Sequence, residues 1–503
     1  MFIGFDLGTT NCKAVVLSEN GAVLGAAAQE YPVRYPQPGY AEQDAALVWQ
    51  LAKEVIGAAV KRSGVKEVKA LSLSVQGDAV IPVDQNMKPL FPALLGMDYR
   101  SLPQARRCQE IFGDKELFAL TGMRPHPINS LTKILWIKEE RPEIFGKTWK
   151  FMTYADFLLG KLGAEPVIDQ TMASRTMAFD LLRKDWSRPI LDQLAIPVAK
   201  LSRPVPSGTA VGKMNARVQE ELGLGGDPIL VAGGHDQTCA ALGAGVIKEG
   251  IGVDSSGTAE VLFTAFSQPL RTEEMFKAYY PCYIHAKPDL YCTFALNHTG
   301  GVVYQWYRDQ FCGEEKREAQ RQGVSAYDLI NAQMPPQPTK LYFIPHFKGS
   351  GSPTCDLDSK GTVFGLTLNT TKGEIAKAIL EGLTYELRLN LETMQQAGIS
   401  INELIAVGGG AKSPVWLNIK TNITGRPFKI LKNKDAAPLG AGILAGVGCG
   451  YYRSFEEAVD TMVEVERIYE PDPAVHRVYE EQYEVYRRLY TAVLQLNKEI
   501  RPG

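Results

Sequence analysis

The sequence predicts an α/β protein built from two similar domains, on three observations. The chain opens on Phe2-Ile3-Gly4-Phe5-Asp6-Leu7-Gly8-Thr9-Thr10, an apolar run that ends in an Asp and a Gly-Thr turn before a second apolar run. The same device returns at Gly252-Val253-Asp254-Ser255-Ser256-Gly257-Thr258, again with apolar residues on both sides. A chain of 503 residues is also too long for one ordinary core. An Asp at a strand end can hold a metal ion, and a Gly-Thr turn offers backbone N–H groups and a hydroxyl to a phosphate. The repeat therefore suggests a duplicated domain closing on a nucleotide from two sides.

The remaining elements fit that frame. Apolar runs at 14–17 and 22–28 flank Glu19-Asn20-Gly21, and Asn-Gly is a strong hairpin signal. Asp44 is a plausible N-cap for a helix that includes Trp49. Residues 68–75 and 80–83 read as buried strands, and 101–161 as mostly helical with breaks at Pro125, Pro127 and Pro142. A short strand at 229–232 runs into Gly233-Gly234-His235-Asp236-Gln237. The second half restarts at Gly250. It holds a long amphipathic helix over 375–397, a strand at 404–407 leading into Gly408-Gly409-Gly410-Ala411, and a helix around 415–423. The run Gly440-Ala441-Gly442 reads as close helix packing rather than a dinucleotide fingerprint, since no strand is expected before it. Residues 475–498 read as a polar helix rich in Tyr and Arg. The domains divide at 1–246 and 247–503.

Composition narrows the function. A net charge of −2 with no basic cluster argues against nucleic acid or a membrane surface as partner. No apolar run is long enough for a membrane span. The eight cysteines are scattered without a C-x-x-C, which gives a zinc site or redox pair little support. Reduced thiols and a start directly on a strand, without a leader pattern, predict a cytoplasmic protein. No Gly-x-x-x-x-Gly-Lys-Ser/Thr loop occurs. Taken locally, Asp236 reads either as a carboxylate within reach of a substrate hydroxyl or as the N-cap of the helix that follows.

Six blocks in order resemble the FGGY carbohydrate kinases of the actin, hexokinase and heat-shock-70 superfamily. They are Asp6-Leu7-Gly8-Thr9-Thr10; the stretch from Leu73 through Gln76-Gly77-Asp78 to Asp84; Asp98-Tyr99-Arg100; Gly233-Gly234-His235-Asp236-Gln237; Gly361-Thr362-Val363-Phe364-Gly365-Leu366-Thr367 with the helix carrying Glu381; and Val407-Gly408-Gly409-Gly410-Ala411 through Trp416. The resemblance covers essentially the whole chain. It implies an α/β fold of two ribonuclease-H-like, actin-type ATPase domains with a cleft between them, and transfer of the γ-phosphate of ATP to a small sugar or polyol. By the same resemblance Asp236 is the catalytic base and Asp6 holds Mg²⁺. Gln76, Asp78, Asp98, Arg100, Asp236 and Gln237 bind the substrate. Gly8, Thr9, Thr10, Gly257, Thr258, Gly301, Gly409, Gly410 and Ala411 bind ATP. A homodimer is expected from the family.

The departures bear on the substrate. Xylulose kinases resemble the Gln76 block but carry Met-His where this chain has Gly77-Asp78. Glycerol kinases carry Arg-Glu there, and Asp236-Gln237 resembles their pair. A Trp found in the family before Asp98 is replaced near Gly96. His235 reads as a packed structural residue or as one that tunes the base. The expected acceptor is a small open-chain ketose such as the pentulose xylulose, with a glycerol- or erythritol-like polyol as the alternative. A non-sugar ATPase of the actin or heat-shock-70 type is the reading from another class, and it would not need Gln76, Asp78, Asp98 and Arg100 at a cleft.

Overall fold

The computed structural model describes residues 1–499. Two mixed sheets carry the fold. The first has six strands: β1 (Phe2–Leu7), β2 (Asn11–Leu17), β3 (Val23–Glu30), β4 (Ala70–Val75), β5 (Ala210–Lys213) and β6 (Ile229–His235), in the order β5-β6-β4-β1-β2-β3. The second has seven: β7 (Gly250–Ser256), β8 (Glu260–Phe266), β9 (Tyr283–Ile284), β10 (Tyr291–Asn297), β11 (Ile401–Gly408), β12 (Phe428–Leu431) and β13 (Val465–Tyr469), in the order β9-β10-β8-β7-β11-β12-β13.

The sheets share one pairing scheme. In each, an antiparallel meander (β1-β2-β3 or β7-β8-β10) adds two parallel strands beyond its first member, β4 and β6 or β11 and β12. An antiparallel strand, β5 or β13, closes that edge. The parallel strands read as near-continuous apolar runs because both faces are covered; every residue of β4 is buried. Ligand-binding loops in such sheets cluster beyond the carboxyl ends of the parallel strands. That is where the Gln76, Asp236 and Gly409 segments emerge.

The helices begin as their caps dictate. Asp44 accepts hydrogen bonds from the N–H groups of Ala46 and Leu47 (3.0 and 3.2 Å) at the head of α1 (Ala45–Ser63). Asp169 caps α2 (Gln170–Arg175). The first lobe then delivers α3 (Asp236–Gly243), and the second half contributes α4 (Gly301–Phe311), α5 (Lys372–Gln396), α6 (Pro414–Thr424), α7 (Ala436–Gly448) and α8 (Pro473–Glu499). Helix α8 is exposed on one side, as its sequence suggests, and buries its tyrosines on the other. Tyr479, Tyr483, Tyr486 and Tyr490 are buried, and the first two donate to Glu381 (2.8 Å) and Glu392 (3.0 Å).

Helix α7 ties the halves together. It lies against β1, β4 and α3, all from the first half. A side chain at Gly243 would place its Cβ 1.9 Å from the carbonyl oxygen of Ala436, and one at Gly440 would place it 1.9 Å from that of Cys239. Only glycine admits so close a crossing. The glycine run is therefore helix packing, but β12 does precede it, contrary to the expectation that no strand would.

Candidate active site

The first Gly-Thr turn is held from behind. The carbonyl of Gly8 accepts from the Tyr31 hydroxyl, that of Thr9 from Gln43 Nε2 (2.6 Å), and that of Thr10 from the Tyr31 N–H (2.9 Å). A trans peptide sets its N–H opposite its C=O, so the Thr9 and Thr10 N–H groups face away from these anchors. Gln43 also accepts from Gln76 Nε2 and from the Tyr154 hydroxyl, each at 3.0 Å. One buried amide thus joins the turn to the Gln76 segment.

Asp6 stands opposite Ser74 in the β1–β4 register, and Ser74 Oγ donates to its Oδ1 at 2.6 Å. Lys13 is its cross-strand partner but reaches instead to Asp435 (2.6 Å). Burial pushes the Asp6 pKa up; the Ser74 bond opposes this and the Asp435 charge adds to it. The result is a carboxylate short of positive charge. Among the described residues no cluster of three or more metal-ligating side chains occurs. A single carboxylate of hard oxygens suits Mg²⁺, which keeps most of its water and takes the rest of its ligands from substrate phosphates.

Asp236 lies just past β6 and is the first residue of α3; His235 holds the cap position. The alternative reading of Asp236 as the N-cap therefore does not apply. Its side chain keeps 30% exposure; Asp78 is nearly buried, with one hydrogen-bond partner on each oxygen, and Asp98 has no exposed surface. Its Oδ1 accepts from the Gln237 N–H (2.6 Å) and lies 3.2 Å from His235 Nε2. Burial and the nearby Asp6 push its pKa up to about 7, against the pull of Arg175. Gln237 follows it, half-buried.

Around this acid the substrate candidates are braced by one another. Asp78 sits in the left-handed region (φ 67°), and its carboxylate is gripped by Arg175 Nε (3.1 Å) and Nη2 (2.6 Å). A non-glycine residue held in that region is strained and points to a functional constraint. Gln76 is buried on Gln43. Asp98 has no exposed surface: it accepts from the Ala41 N–H (2.6 Å), the Arg100 N–H (3.0 Å) and the Arg100 guanidinium (2.8 Å), which also meets Glu42 (2.7 Å) and stacks over Tyr40 (3.9 Å). The structure spends the Asp98 oxygens on the protein, so Asp98 and Arg100 form a wall here and present no free oxygen to a ligand. Lys133 is wholly buried behind Asp78 and Asp98, donating to the Pro127 and Ile128 carbonyls (2.8 and 2.6 Å). Burial lowers its pKa to about 8, while both Asp charges oppose the fall.

In the second lobe, Gly257, Gly301, Gly409 and Gly410 line one cavity of about 470 Å³ with Tyr304 and Trp416. Thr258 holds the loop through its carbonyl, which accepts from the Gly300 N–H (2.8 Å). Ala411 packs on the apolar core. Asp254 differs sharply from Asp6. Lys420 bonds it and also meets Ser256 (2.5 Å) and Glu260 (2.7 Å), all of them buried. Burial opposes the charge on Lys420, but Asp254 and Glu260 hold the ammonium above its usual range.

Sequence reasoning missed Arg175, Gln43, Lys133, Tyr304 and Lys420. Arg175, Gln43, Lys133 and Lys420 come from elements distant in sequence from the groups they meet, and none lies in a distinctive local pattern. Tyr304 carried a signal, one helical turn after Gly301.

Known proteins place the chain in a family. A family model for the N-terminal domain of the FGGY family of carbohydrate kinases matches residues 1–243, and one for its C-terminal domain matches residues 252–449. A xylulose kinase of Staphylococcus epidermidis is 29% identical over 99% of this chain and 98% of its own. A gluconokinase of Bacillus subtilis is also 29% identical, over 99% of this chain and 95% of its own. Among solved structures, a "xyloylose kinase" from Brucella ovis superposes with a TM-score of 0.87 at 26% identity, covering 98% of this chain and 99% of that one.

Proposed function

The chain belongs to the FGGY family of carbohydrate kinases and is an ATP-dependent sugar kinase, and from that premise we propose that Asp236 deprotonates a hydroxyl of a small open-chain sugar as it attacks the γ-phosphate. The observation that carries this reading is the Asp236 carboxylate itself, partly exposed between Asp6 and Arg175, with a pKa pushed up to about 7. A base with that pKa is half ionised at neutral pH and strong enough to accept a hydroxyl proton. Phosphoryl transfer asks the protein mainly for position and charge neutralisation.

Asp6 would hold Mg²⁺ through its coordinated water, and the bound ion would offset phosphate charge. The Thr9 and Thr10 N–H groups grip the phosphates from one lobe, Gly257 and Thr258 from the other. The cavity at Gly301, Gly409 and Gly410 takes the adenosine, with Tyr304 stacked on Tyr327 (5.2 Å) at its wall. Gln76 and Asp78 meet the sugar hydroxyls, Asp78 oriented by Arg175. The acceptor is a pentulose of the xylulose kind. The gluconokinase relative makes an aldonic acid the first competitor, and the buried Arg175 cation favours keeping it in the panel. The enzyme works in the cytoplasm, a reading supported by eight unpaired thiols. It pairs as a homodimer, a reading supported by the exposed Phe364, Leu366 and Leu368; sedimentation tests the latter.

The central test is Asp236→Asn. ADP release driven by a ketose, polyol and aldonate panel should vanish, while calorimetric sugar binding persists. Near-normal turnover in this variant removes Asp236 from the role.

A further inference from the structure

The cavity of the second lobe has a polar end that no role so far uses. Its other end is fixed by the bond from the Gly301 N–H to the Gly257 carbonyl (2.8 Å), which starts α4 at the turn. Tyr304 lies one helical turn along α4. Its hydroxyl donates to Asn331 Oδ1 (2.6 Å) on a short helix, Ala326–Asn331. Asp328 and Asn331 both line the cavity, and at a spacing of three they share one face of that helix. They therefore flank the cavity past Tyr304, a helical turn and a tyrosine side chain removed from the Gly257 turn. An acid so placed stands clear of the charge of a triphosphate held at that turn.

The two side chains offer opposite chemistry. Tyr304 occupies Asn331 Oδ1, which leaves the amide Nδ2 as the group for a ligand, and that group only donates. The Asp328 side chain is exposed, and among the described residues its carboxylate has no hydrogen-bond or ion-pair partner; a carboxylate only accepts. One face thus presents an acceptor beside a donor. Flat side chains line the same cavity: Tyr304 stacks on Tyr327 (5.2 Å), and Trp416 and Pro414 complete the wall. Flat walls suit the faces of a purine. An acceptor beside a donor suits the edge of adenine, whose 6-amino group donates next to a ring nitrogen that accepts. A 6-oxopurine turns a carbonyl oxygen to the same place, acceptor against carboxylate.

We propose that Asp328 and Asn331 read the nucleobase of the phosphate donor, Asp328 accepting from the 6-amino group of adenine and Asn331 Nδ2 donating to the neighbouring ring nitrogen. The pair selects adenine over 6-oxopurine nucleotides. This rests on the reading of the cavity as the adenosine site.

The test measures kcat/KM for ATP, 2′-deoxy-ATP, GTP and ITP with the full chain at a saturating concentration of the best panel sugar. The parent should prefer ATP to both GTP and ITP by about 10-fold or more, the worth of one hydrogen bond to a charged group. Asp328→Asn carries an amide that can also donate to a 6-carbonyl, so the ATP-to-ITP ratio should fall about 10-fold. Asp328→Ala should lower kcat/KM for ATP and for 2′-deoxy-ATP alike, with no gain for ITP. Asn331→Asp keeps an acceptor for Tyr304 but loses the N–H, and should also lower kcat/KM for ATP. Asp328 is exposed, so its variants should fold as the parent does. A parent that uses ITP as well as ATP overturns the proposal, as does an Asp328→Asn variant with the parent's ratio. Asp328→Ala that penalises ATP but spares 2′-deoxy-ATP also overturns it, because the carboxylate would then hold the ribose. Failure of the adenosine-site reading shows differently: Tyr327→Leu would then keep the parent's KM for every nucleotide.

Discussion

Asp6 and Asp254 occupy the same place in two copies of one device, yet their surroundings are opposite. Asp6 has a serine, a neighbouring lysine that bonds Asp435 instead, and a raised pKa. Asp254 has Lys420 and shares it with Glu260 and Ser256 in a sealed cluster. Lys13, the cation that could have neutralised Asp6, is drawn off by Asp435 at the head of α7. The duplicated turn thus has two surroundings: one acid is left raised and only loosely compensated, and the other is closed on an internal cation. On the function proposed above, that contrast puts the metal at Asp6 and not at Asp254.

The contrast breaks first at Lys420. Lys420→Met leaves Asp254 and Glu260 buried without compensation, and should cost about 3–5 kcal/mol of stability, read from denaturant unfolding. Asp6→Asn should do the reverse: a normal melting temperature, but turnover lower by about 100-fold or more, ~2.7 kcal/mol of transition-state stabilisation, with a weakened response to Mg²⁺ titration. If both variants merely destabilise, the two acids are equivalent and the comparison fails.

A pH series sharpens it further. Asp236 is an acid whose folded pKa of about 7 lies above its unfolded value near 3.8. Between those values the folded state binds the extra proton, so this group's contribution to stability is largest below the unfolded pKa and is lost as pH rises through about 7. Turnover runs the other way, rising through the same range as the base ionises. Asp236→Asn should therefore melt higher than the parent at pH 8 while being inactive, as measured by scanning calorimetry. The smallest effect is expected in the adenosine cavity. Tyr327→Leu removes the ring stacked on Tyr304 and should raise the KM for ATP a few-fold, about 1 kcal/mol, without changing kcat.

Local patterns were enough to find both turns, because strand, acid and Gly-Thr are contiguous there. The Asp44 cap and the long helix α5 were legible for the same reason, one as a capping residue and the other as a sustained apolar stripe. The family blocks named Asp236 and the glycine loop of the second lobe. What could not be read was pairing across distance. Arg175 grips Asp78 from 97 residues away, and Lys420 meets Asp254 from 166. On its own helix each looks like an ordinary surface cation. Helix α7 crosses back to the first sheet for a reason that only its contact with Gly243 discloses. Asp98 and Arg100 carried a family signature that, in this structure, is satisfied internally.

The central claim is that both lobes present one ATP to one carboxylate. A crystal structure with the accepted sugar and a non-hydrolysable ATP analogue tests it directly. The account predicts the γ-phosphate between the Thr9–Thr10 turn and the Gly257 turn, with a sugar hydroxyl in hydrogen-bond contact with Asp236 Oδ2. A γ-phosphate directed away from Asp236, or a sugar bound with no hydroxyl near it, would contradict it.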